Sequence, residues 1–329
     1  MTDIHIPLAV VDYPGALQSA IHGFQEMFSL ANTISEEHHL RQRFTIDTPR
    51  MDTILEMVQT DKNAAGKSPY RAIILPPSIG AVFCSCPDQH LIDWLVRHHS
   101  SGAIICSVCS GAFILASSGL LRQREATTHW GLASLFSQKF PEVITNVEKI
   151  LINDGDIITA GGLMSWVDLG MELVAQFAGS RVMRQLGKLL VVDPGLREQR
   201  YYQGFSPKLA HGDKGILKAQ HYLRTHFSKP MTVAGLADFC CLGERTFLRR
   251  FAKATGLRPT QYLQRLRIQK ACDLIETTDL SFDVISQKTG YGDSSAFRKV
   301  FIKVIGLTPR DFKRRFTGAS PQNRRPGKL

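Results

Sequence analysis

The chain has 329 residues, of which 43% are hydrophobic, and its formal net charge is +11. This length predicts two domains, each with a core of its own. No apolar run reaches the roughly 18 residues of a membrane span, and the N-terminus lacks the basic and apolar regions of a signal peptide. Seven cysteines without framework spacing indicate a reducing cytoplasm and argue against a disulfide-stapled secreted protein.

The first half of the chain alternates predicted strands and helices that are separated by short turns. Short apolar runs bounded by turn residues predict strands, at 4–11, 43–46, 72–75, 103–108, 149–152 and 157–159. Apolar residues at spacings of three and four predict helices, at 16–31, 89–100, 112–117 and 166–177. The alternation predicts a doubly wound α/β domain with a mainly parallel sheet, which we assign to residues 1–195.

A sharp turn follows the predicted strand at 103–108. Cys109 and Ser110 lie in this turn, directly before Gly111 and a predicted helix. A side chain there projects at the top of the sheet, where the free N–H groups of the helix start favour a thiolate. Ligands of open α/β sheets bind at this edge. Cys109 and Ser110 are therefore candidate effector-binding residues; the alternative is that Cys109 is a small inert residue in a tight turn.

The first domain resembles the ThiJ/PfpI superfamily, which is related to the class I glutamine amidotransferases. The matching stretches are 107–113 around Cys109, 126–130 with His129, the helix that contains Glu26, and 159–168. The resemblance implies that Glu26 faces the elbow cysteine, and it makes Glu26 and His129 candidate effector-binding residues. The alternatives are that Glu26 points to solvent and that His129 is a structural histidine.

The residue after the elbow cysteine bears on catalysis. Peptidase-like members of the superfamily have a histidine there, whereas this chain has Ser110. A cysteine without its base and orienting partner is not an activated nucleophile in the sense of a catalytic triad. The resemblance therefore implies a catalytically inactive sensor without a cofactor, and relatives of this architecture respond to amino acids, quaternary amines and similar nitrogen metabolites. The alternative is a cysteine-dependent hydrolase or amidase with an attached DNA-binding domain.

The other cysteines predict no further site. Cys106 has redox-motif spacing to Cys109 but falls inside a predicted strand. Cys84 and Cys86 lack further zinc ligands, so no metal site is predicted. We expect the adjacent pair at 240–241 to serve in packing.

The second half of the chain contains one motif twice. Residues 245–262 recur at 295–312 with an offset of 50, and residues 232–237 recur at 281–286 with an offset of 49. Each copy has a hydroxyl N-cap, a short helix, a glycine-containing turn and a second helix with two phenylalanines four residues apart. The repeat predicts two helix-turn-helix motifs in an all-α domain at residues 213–316.

The basic charge lies on the half that carries the repeat. Residues 211–329 contain 23 Lys and Arg against 9 Asp and Glu, a net charge of +14, whereas residues 1–210 contain 17 and 20, a net charge of −3. This distribution is typical of a protein that binds a phosphate backbone; the alternative is a helical bundle with solvated basic residues. The paired motif resembles the DNA-binding domain of the AraC family, and the fusion is similar to GlxA-type regulators.

The family pattern assigns roles on the second helix of each motif. The side chains expected at base edges are Arg245, Leu248, Arg249, Ser295 and Lys299, and Arg298 is expected at a phosphate. Two positions depart from the pattern. Gly243 replaces a capping serine, and Lys299 replaces an arginine, so bidentate reading of guanine is not expected at Lys299.

These observations predict a ligand-responsive, sequence-specific transcription regulator of the cytoplasm, acting as an activator. Its expected partners are a double-stranded DNA operator, a small-molecule effector, RNA polymerase and a second copy of the chain that associates through residues 1–200. Residues 196–212 are predicted to be a linker, and the basic tail at 317–329 is predicted to be disordered. A DNA-binding architectural protein without a ligand is the third alternative.

Overall fold

The structure is a computed structural model that describes residues 3–60, 67–80, 86–193 and 198–317. The chain divides into two compact units, Met1–Gln199 and Arg200–Leu329. The tail predicted to be disordered lies outside the described residues, except for Thr317, and so does Cys84. No helix in the described part of the chain is long and apolar enough to cross a membrane.

A mainly parallel sheet is the centre of the first unit. Its strands run in the order β2-β1-β3-β4-β8-β7, and they are β1 (Ile4–Val10), β2 (Gln42–Asp47), β3 (Ala72–Leu75), β4 (Ile104–Val108), β7 (Leu151–Asn153) and β8 (Ile157–Ala160). Neighbouring strands are parallel except β7 and β8. Strands β3 and β8 are buried throughout, because both faces of such a sheet are covered. The predicted doubly wound α/β fold is confirmed.

Helices cover both faces of the sheet. Those in the described part of this unit are α1 (Gln18–Glu37), α2 (Met51–Thr60), α3 (Gln89–Ser100), α4 (Gly111–Ser117), α5 (Ala133–Lys139), α6 (Trp166–Ala178) and α7 (Ser180–Leu190). The sequence predicted α1, α3, α4 and α6. It did not predict α2, α5 and α7, nor the small pair β5 (Glu125–Ala126) and β6 (Ile144–Thr145).

The second unit consists of helices in its described part. They are α8 (Lys214–His226), α9 (Val233–Phe239), α10 (Glu244–Thr255), α11 (Pro259–Thr277), α12 (Phe282–Lys288), α13 (Ser294–Ile305) and α14 (Pro309–Phe316). Two separate hydrophobic cores form, one around Phe247 and Phe251 and the other around Phe297 and Phe301. Both cores include residues of α11, which is therefore the element that the two helix-turn-helix motifs share.

The two motifs begin and end as the repeat predicts. The hydroxyl of Thr232 accepts a hydrogen bond from the N–H of Gly235 (3.1 Å), and that of Ser281 accepts one from the N–H of Val284 (3.4 Å). Helices α10 and α13 end at glycines with left-handed backbone angles, at residues 256 and 306.

The turn inside the first motif differs from the prediction. The repeat predicts that the glycine of each turn takes the backbone angles that glycine tolerates, but the glycine of the first turn, Gly243, has a φ of −64°. The left-handed residue is Cys241, with φ of 55°, and its equivalent in the second motif is Gly290, with φ of 85°. The prediction for Gly243 is wrong because the left-handed residue of this turn comes soon after the first helix, and not at the start of the second.

Residues 200–212, most of the predicted linker, make contacts within the second unit. The Arg315 guanidinium lies over the rings of Tyr201 and Tyr202, at 5.2 and 5.9 Å. The Phe205 ring packs edge-on against Tyr262, with 5.1 Å between their centroids. The aromatic side chains of this segment therefore pack on the helical unit.

Candidate functional site

The turn after β4 is held tightly between two neighbouring strands. Cys109 has φ of 55°, a region that residues other than glycine rarely occupy. Its N–H donates to the carbonyl of Ala160 on β8 (2.8 Å). An alanine Cβ at Gly111 would lie 2.6 Å from the carbonyl oxygen of Leu75, so glycine is required for α4 to begin this close to β3. The predicted elbow therefore exists, and Cys109, which is 5% exposed, lies at its apex.

Ser110 is bound to the loop that follows β3. Its hydroxyl oxygen accepts a hydrogen bond from the N–H of Ser78 (2.8 Å) and lies 2.9 Å from the Ser78 hydroxyl. Both serines are buried. The hydroxyl of Ser110 thus joins the first turn of α4 to the neighbouring loop, which is a structural role.

His129 lies in the segment around Thr128, which contacts the elbow. The hydroxyl of Thr128, the preceding residue, donates to the carbonyl of Cys109 (2.7 Å). His129 Nδ1 accepts the N–H of Gly131 (3.0 Å), so the proton of the neutral ring is on Nε2. Burial lowers the pKa of His129, and its ring stacks on that of Trp130 with 5.2 Å between centroids. The imidazole is therefore a neutral side chain whose Nδ1 is already used.

Glu26 does not lie where the resemblance implied. Helix α1 begins at Gln18, so Glu26 is eight residues into the helix, about 12 Å along its axis. Glu26 is exposed, whereas Phe24 and Phe28 are fully buried against the sheet. Cys109 is buried at the end of β4. The prediction that Glu26 faces Cys109 is wrong, because the face of α1 that packs inward is the phenylalanine face.

Gln199 is a residue of this region that the sequence did not reveal. Its amide nitrogen donates to the hydroxyl of Thr127 (3.0 Å) and to the carbonyls of Thr128 (3.0 Å) and Lys149 (2.9 Å). Its amide oxygen accepts the N–H of Trp130 (3.3 Å). Gln199 is 2% exposed. Gln199 therefore fixes the segment that carries His129. No local sequence pattern marks it, because its partners Thr127 and Thr128 lie about 70 residues earlier in the chain.

The cysteine beside the elbow is not suited to redox chemistry. Cys106 is completely buried in β4, and this burial raises the pKa of its thiol well above the usual range. A thiol held protonated in this way reacts slowly. No cluster of His, Cys, Asp and Glu that could hold a metal ion occurs among the described residues.

Helices α10 and α13 present one apolar and one polar face. Their phenylalanine pairs are buried in the two cores, whereas the side chains predicted to meet DNA are exposed, namely Arg245, Arg249, Ser295, Arg298 and Lys299; Leu248 is half-buried. No hydrogen bond or ion pair with another described residue holds Arg245, Arg249 or Lys299. These three cationic groups are therefore available to a partner.

Arg298 has different surroundings from the other basic residues of α13. It lines a surface depression together with Arg310 and Arg314 of α14 and with Ser295. Arg314 forms an ion pair with Asp311 (2.9 Å). The carboxylates of Asp283 and Asp311 line the same depression, so the phosphate contact of Arg298 stays a prediction.

The arginine next to Arg249 has a structural partner. Arg250 donates to the carboxylate of Asp213 through two hydrogen bonds of 2.9 and 2.7 Å. The Arg250 guanidinium lowers the pKa of Asp213 to about 2. Asp213 also caps α8 by accepting the N–H of Ile216 (3.1 Å). Arg250 therefore fixes α10 against α8, and it is not one of the free cations of the helix.

Helices α10 and α13, which carry the residues predicted to contact DNA, differ in their N-caps. Asp293 accepts hydrogen bonds from the N–H groups of Ser295 and Ala296 (3.0 and 2.9 Å), whereas Gly243 provides no side-chain cap.

We expect Asp293→Ala to lower the Tm of the second unit by about 4 °C, because the substitution removes this cap. Gly243→Asp should raise the Tm, since its Cβ would point into open space. Circular dichroism melting measures both. Asp293→Asn, which keeps an acceptor, is the control, and an unchanged Tm for Asp293→Ala would contradict the capping role.

The first unit is an open α/β fold with a strained elbow, and the second is a basic unit with two helix-turn-helix motifs. Together they define a DNA-binding protein with an attached domain of a ligand-binding type. Residues 50–176 match the DJ-1/PfpI family. Residues 236–315 match a helix-turn-helix domain family. The chain therefore joins a DJ-1/PfpI domain to an AraC-type helix-turn-helix domain.

Three relatives are transcriptional regulators by name. HTH-type transcriptional regulator CdhR of Pseudomonas aeruginosa is 26% identical over 67% of this chain and 65% of its own length. ArgR of the same organism is 27% identical over 67% of each chain. GlxA of Rhizobium meliloti is 24% identical over 65% of this chain and 66% of its own length. The chain thus spans about two thirds of the length of these relatives.

Proposed function

We propose that the chain is a sequence-specific transcription regulator that activates its target genes when a small nitrogenous metabolite binds near Cys109. The DNA-binding part rests on one observation above all, the pair of helices on which Arg245, Arg249 and Lys299 are exposed and make no hydrogen bond or ion pair to another described residue. The names of the relatives CdhR, ArgR and GlxA support the same function.

The α/β domain acts in this proposal as a sensor and not as an enzyme. In triad-type catalysis, a cysteine nucleophile is activated by a base within hydrogen-bonding reach. The hydroxyl of Ser110, which follows the elbow cysteine, is bound to Ser78, and Nδ1 of His129 is bound to Gly131. Both contacts support a site that binds a ligand and leaves it unchanged. Cys109, Ser110 and His129 are the proposed effector-binding residues, and Glu26 is not among them.

The regulator is proposed to act in the cytoplasm as a homodimer that associates through residues 1–200. Two copies of the second unit, with its net charge of +14 over residues 211–329, repel one another, whereas the first unit is nearly neutral. A dimer places two copies of the paired motif on each operator. RNA polymerase is the proposed partner at the promoter.

Turnover is the first test of the sensor role. Wild type and Cys109→Ala are assayed with peptidase, amidase and glyoxalase substrates, and Cys86→Ala, which removes an exposed thiol outside the elbow, is the control. We expect the three proteins to show the same background rate, since the hydroxyl of Ser110 and Nδ1 of His129 are already engaged in other hydrogen bonds. Robust wild-type turnover that is lost only in Cys109→Ala would contradict the proposal and favour a hydrolase.

Ligand binding is the second test of the same proposal. Tryptophan fluorescence follows the first unit alone, because the three tryptophans of the chain all precede residue 200. A melting screen with the common amino acids and the quaternary amine choline should find a compound that raises the melting temperature of wild type. That compound should stabilise Cys86→Ala equally and Cys109→Ala less. Equal stabilisation of both variants would place the ligand away from the elbow.

A further inference from the structure

Arg267 lies at the boundary between the two cores of the second unit. Leu266, the residue before it on α11, belongs to the core of the first motif, and Ile268, the residue after it, belongs to the core of the second. The two clusters have no member in common. Helix α11 therefore sets how far apart the motifs lie, but the two small cores do not by themselves fix the angle between them.

The Arg267 guanidinium joins segments that come from both motifs. Its Nε donates to the carbonyl of Phe227 (2.7 Å) and its Nη2 to that of Lys229 (3.0 Å), both in the segment after α8. Its Nη1 donates to the carbonyl of Gly290 (3.0 Å), in the turn of the second motif. The guanidinium also lies over the ring of Tyr291, at 5.4 Å from its centroid.

This geometry uses properties that are specific to arginine. The rigid fork of N–H groups reaches three acceptors at fixed angles, which a lysine ammonium on a flexible stem does not do. The side chain is half-buried, and burial lowers its pKa. No carboxylate among the described residues forms an ion pair with it. Its interactions are therefore with backbone carbonyls of two segments that are about 60 residues apart and with one aromatic ring.

The two segments that Arg267 joins also touch through their backbones. An alanine Cβ at Gly290 would lie 2.6 Å from the carbonyl oxygen of Ser228, and φ of Gly290 is 85°. Glycine is thus required there both for its conformation and for the close approach. The contact at Ser228 is a second observation, independent of the guanidinium, that holds the second motif against the first.

We propose that Arg267 is a positioning residue that fixes the angle between the two helix-turn-helix motifs, so that α10 and α13 engage DNA at a single spacing. This proposal rests on the DNA-binding function proposed above. Arg267 acts through the carbonyls of Phe227, Lys229 and Gly290 and does not contact the phosphate backbone. It therefore determines which distance between half-sites is read, and not which bases are read.

The test uses the full chain and duplexes selected by wild type from a random library. One set keeps the selected spacing between half-sites, and two others change it by one base pair. We expect wild type to lose roughly tenfold or more in affinity when the spacing changes, and Arg267→Ala to bind all three sets within about threefold. The slope of log affinity against log salt should be the same for both proteins, because Arg267 neutralises no phosphate.

Arg265→Ala is the matched control. Arg265 lies two residues away on α11 and has no hydrogen bond or ion pair to another described residue, so its replacement should keep the wild-type spacing preference. Gly290→Ala, which leaves the Arg267 side chain intact, should broaden the preference as Arg267→Ala does. If Arg267→Ala does not fold, Arg267→Lys, which keeps the charge but not the fork, takes its place.

The outcomes separate this proposal from the proposed function. If wild type selects no sequence, the DNA-binding function fails before Arg267 is tested. If wild type is spacing-dependent and Arg267→Ala keeps the same dependence, the positioning role is wrong. A salt slope that falls by about one unit with unchanged spacing preference would show instead that Arg267 is a phosphate contact.

Discussion

Gln199→Ala is expected to lower the free energy of unfolding of the first unit by about 3 kcal/mol. The substitution removes four hydrogen bonds of a side chain that is 2% exposed. It leaves the carbonyls of Thr128 and Lys149 without this donor in the interior, and an unsatisfied buried polar group costs about 1–3 kcal/mol. Since Thr128 supports the carbonyl of Cys109, the elbow should loosen as well.

Urea denaturation followed by tryptophan fluorescence measures this effect, because it reports on the first unit alone. Gln138→Ala is the matched control, since Gln138 is exposed on α5 and makes no hydrogen bond to the described residues. The control should change the unfolding free energy by less than about 0.5 kcal/mol. A Gln199→Ala protein as stable as this control would show that the contacts of Gln199 do not fix the segment.

Arg249→Ala is expected to weaken the free energy of binding to the operator by about 1–3 kcal/mol and to reduce the base preference at one base pair. Arg249 is exposed on α10 without a partner among the described residues, and its planar fork suits the two acceptors of guanine. Lys299 occupies the equivalent face of α13 but offers a single charged group. Lys299→Ala should therefore weaken binding to all sequences alike and lower the salt slope by about one unit.

Competition binding with duplexes that carry each base-pair substitution distinguishes the two roles. The control is Arg122→Ala, which removes one exposed positive charge from the first unit. It should leave both the sequence preference and the salt slope unchanged. If Lys299→Ala relaxes the preference more than Arg249→Ala does, the assigned roles are the wrong way round.

The sequence predicted the second unit well because its determinants are local. N-cap hydroxyls such as Thr232, the phenylalanine pairs four residues apart and the glycines at the helix ends act within one or two turns of chain. The fold class of the first unit was also predictable, since short apolar runs between turns, such as 72–75 and 104–108, indicate buried parallel strands.

What the sequence did not reveal depends on contacts between distant segments. Gln199 and Arg267 are polar residues whose partners lie tens of residues away, so no spacing marks them. Glu26 was misplaced because the resemblance supplied its role, while the helix register, set by the buried phenylalanines of α1, turns it outward. Cys241 was missed because a non-glycine residue at positive φ has no local signature.

Selection of DNA from a random duplex library by the full-length protein tests most directly that this chain reads DNA with two motifs at once. We predict an enriched sequence in which each copy of the chain reads a pair of half-sites whose centres lie about 10 base pairs apart, one turn of the duplex, so that a dimer selects two such pairs. The half-site read by Arg249 should be the better defined of the two. Enrichment of a single half-site, or of two half-sites without a preferred spacing, would contradict this account.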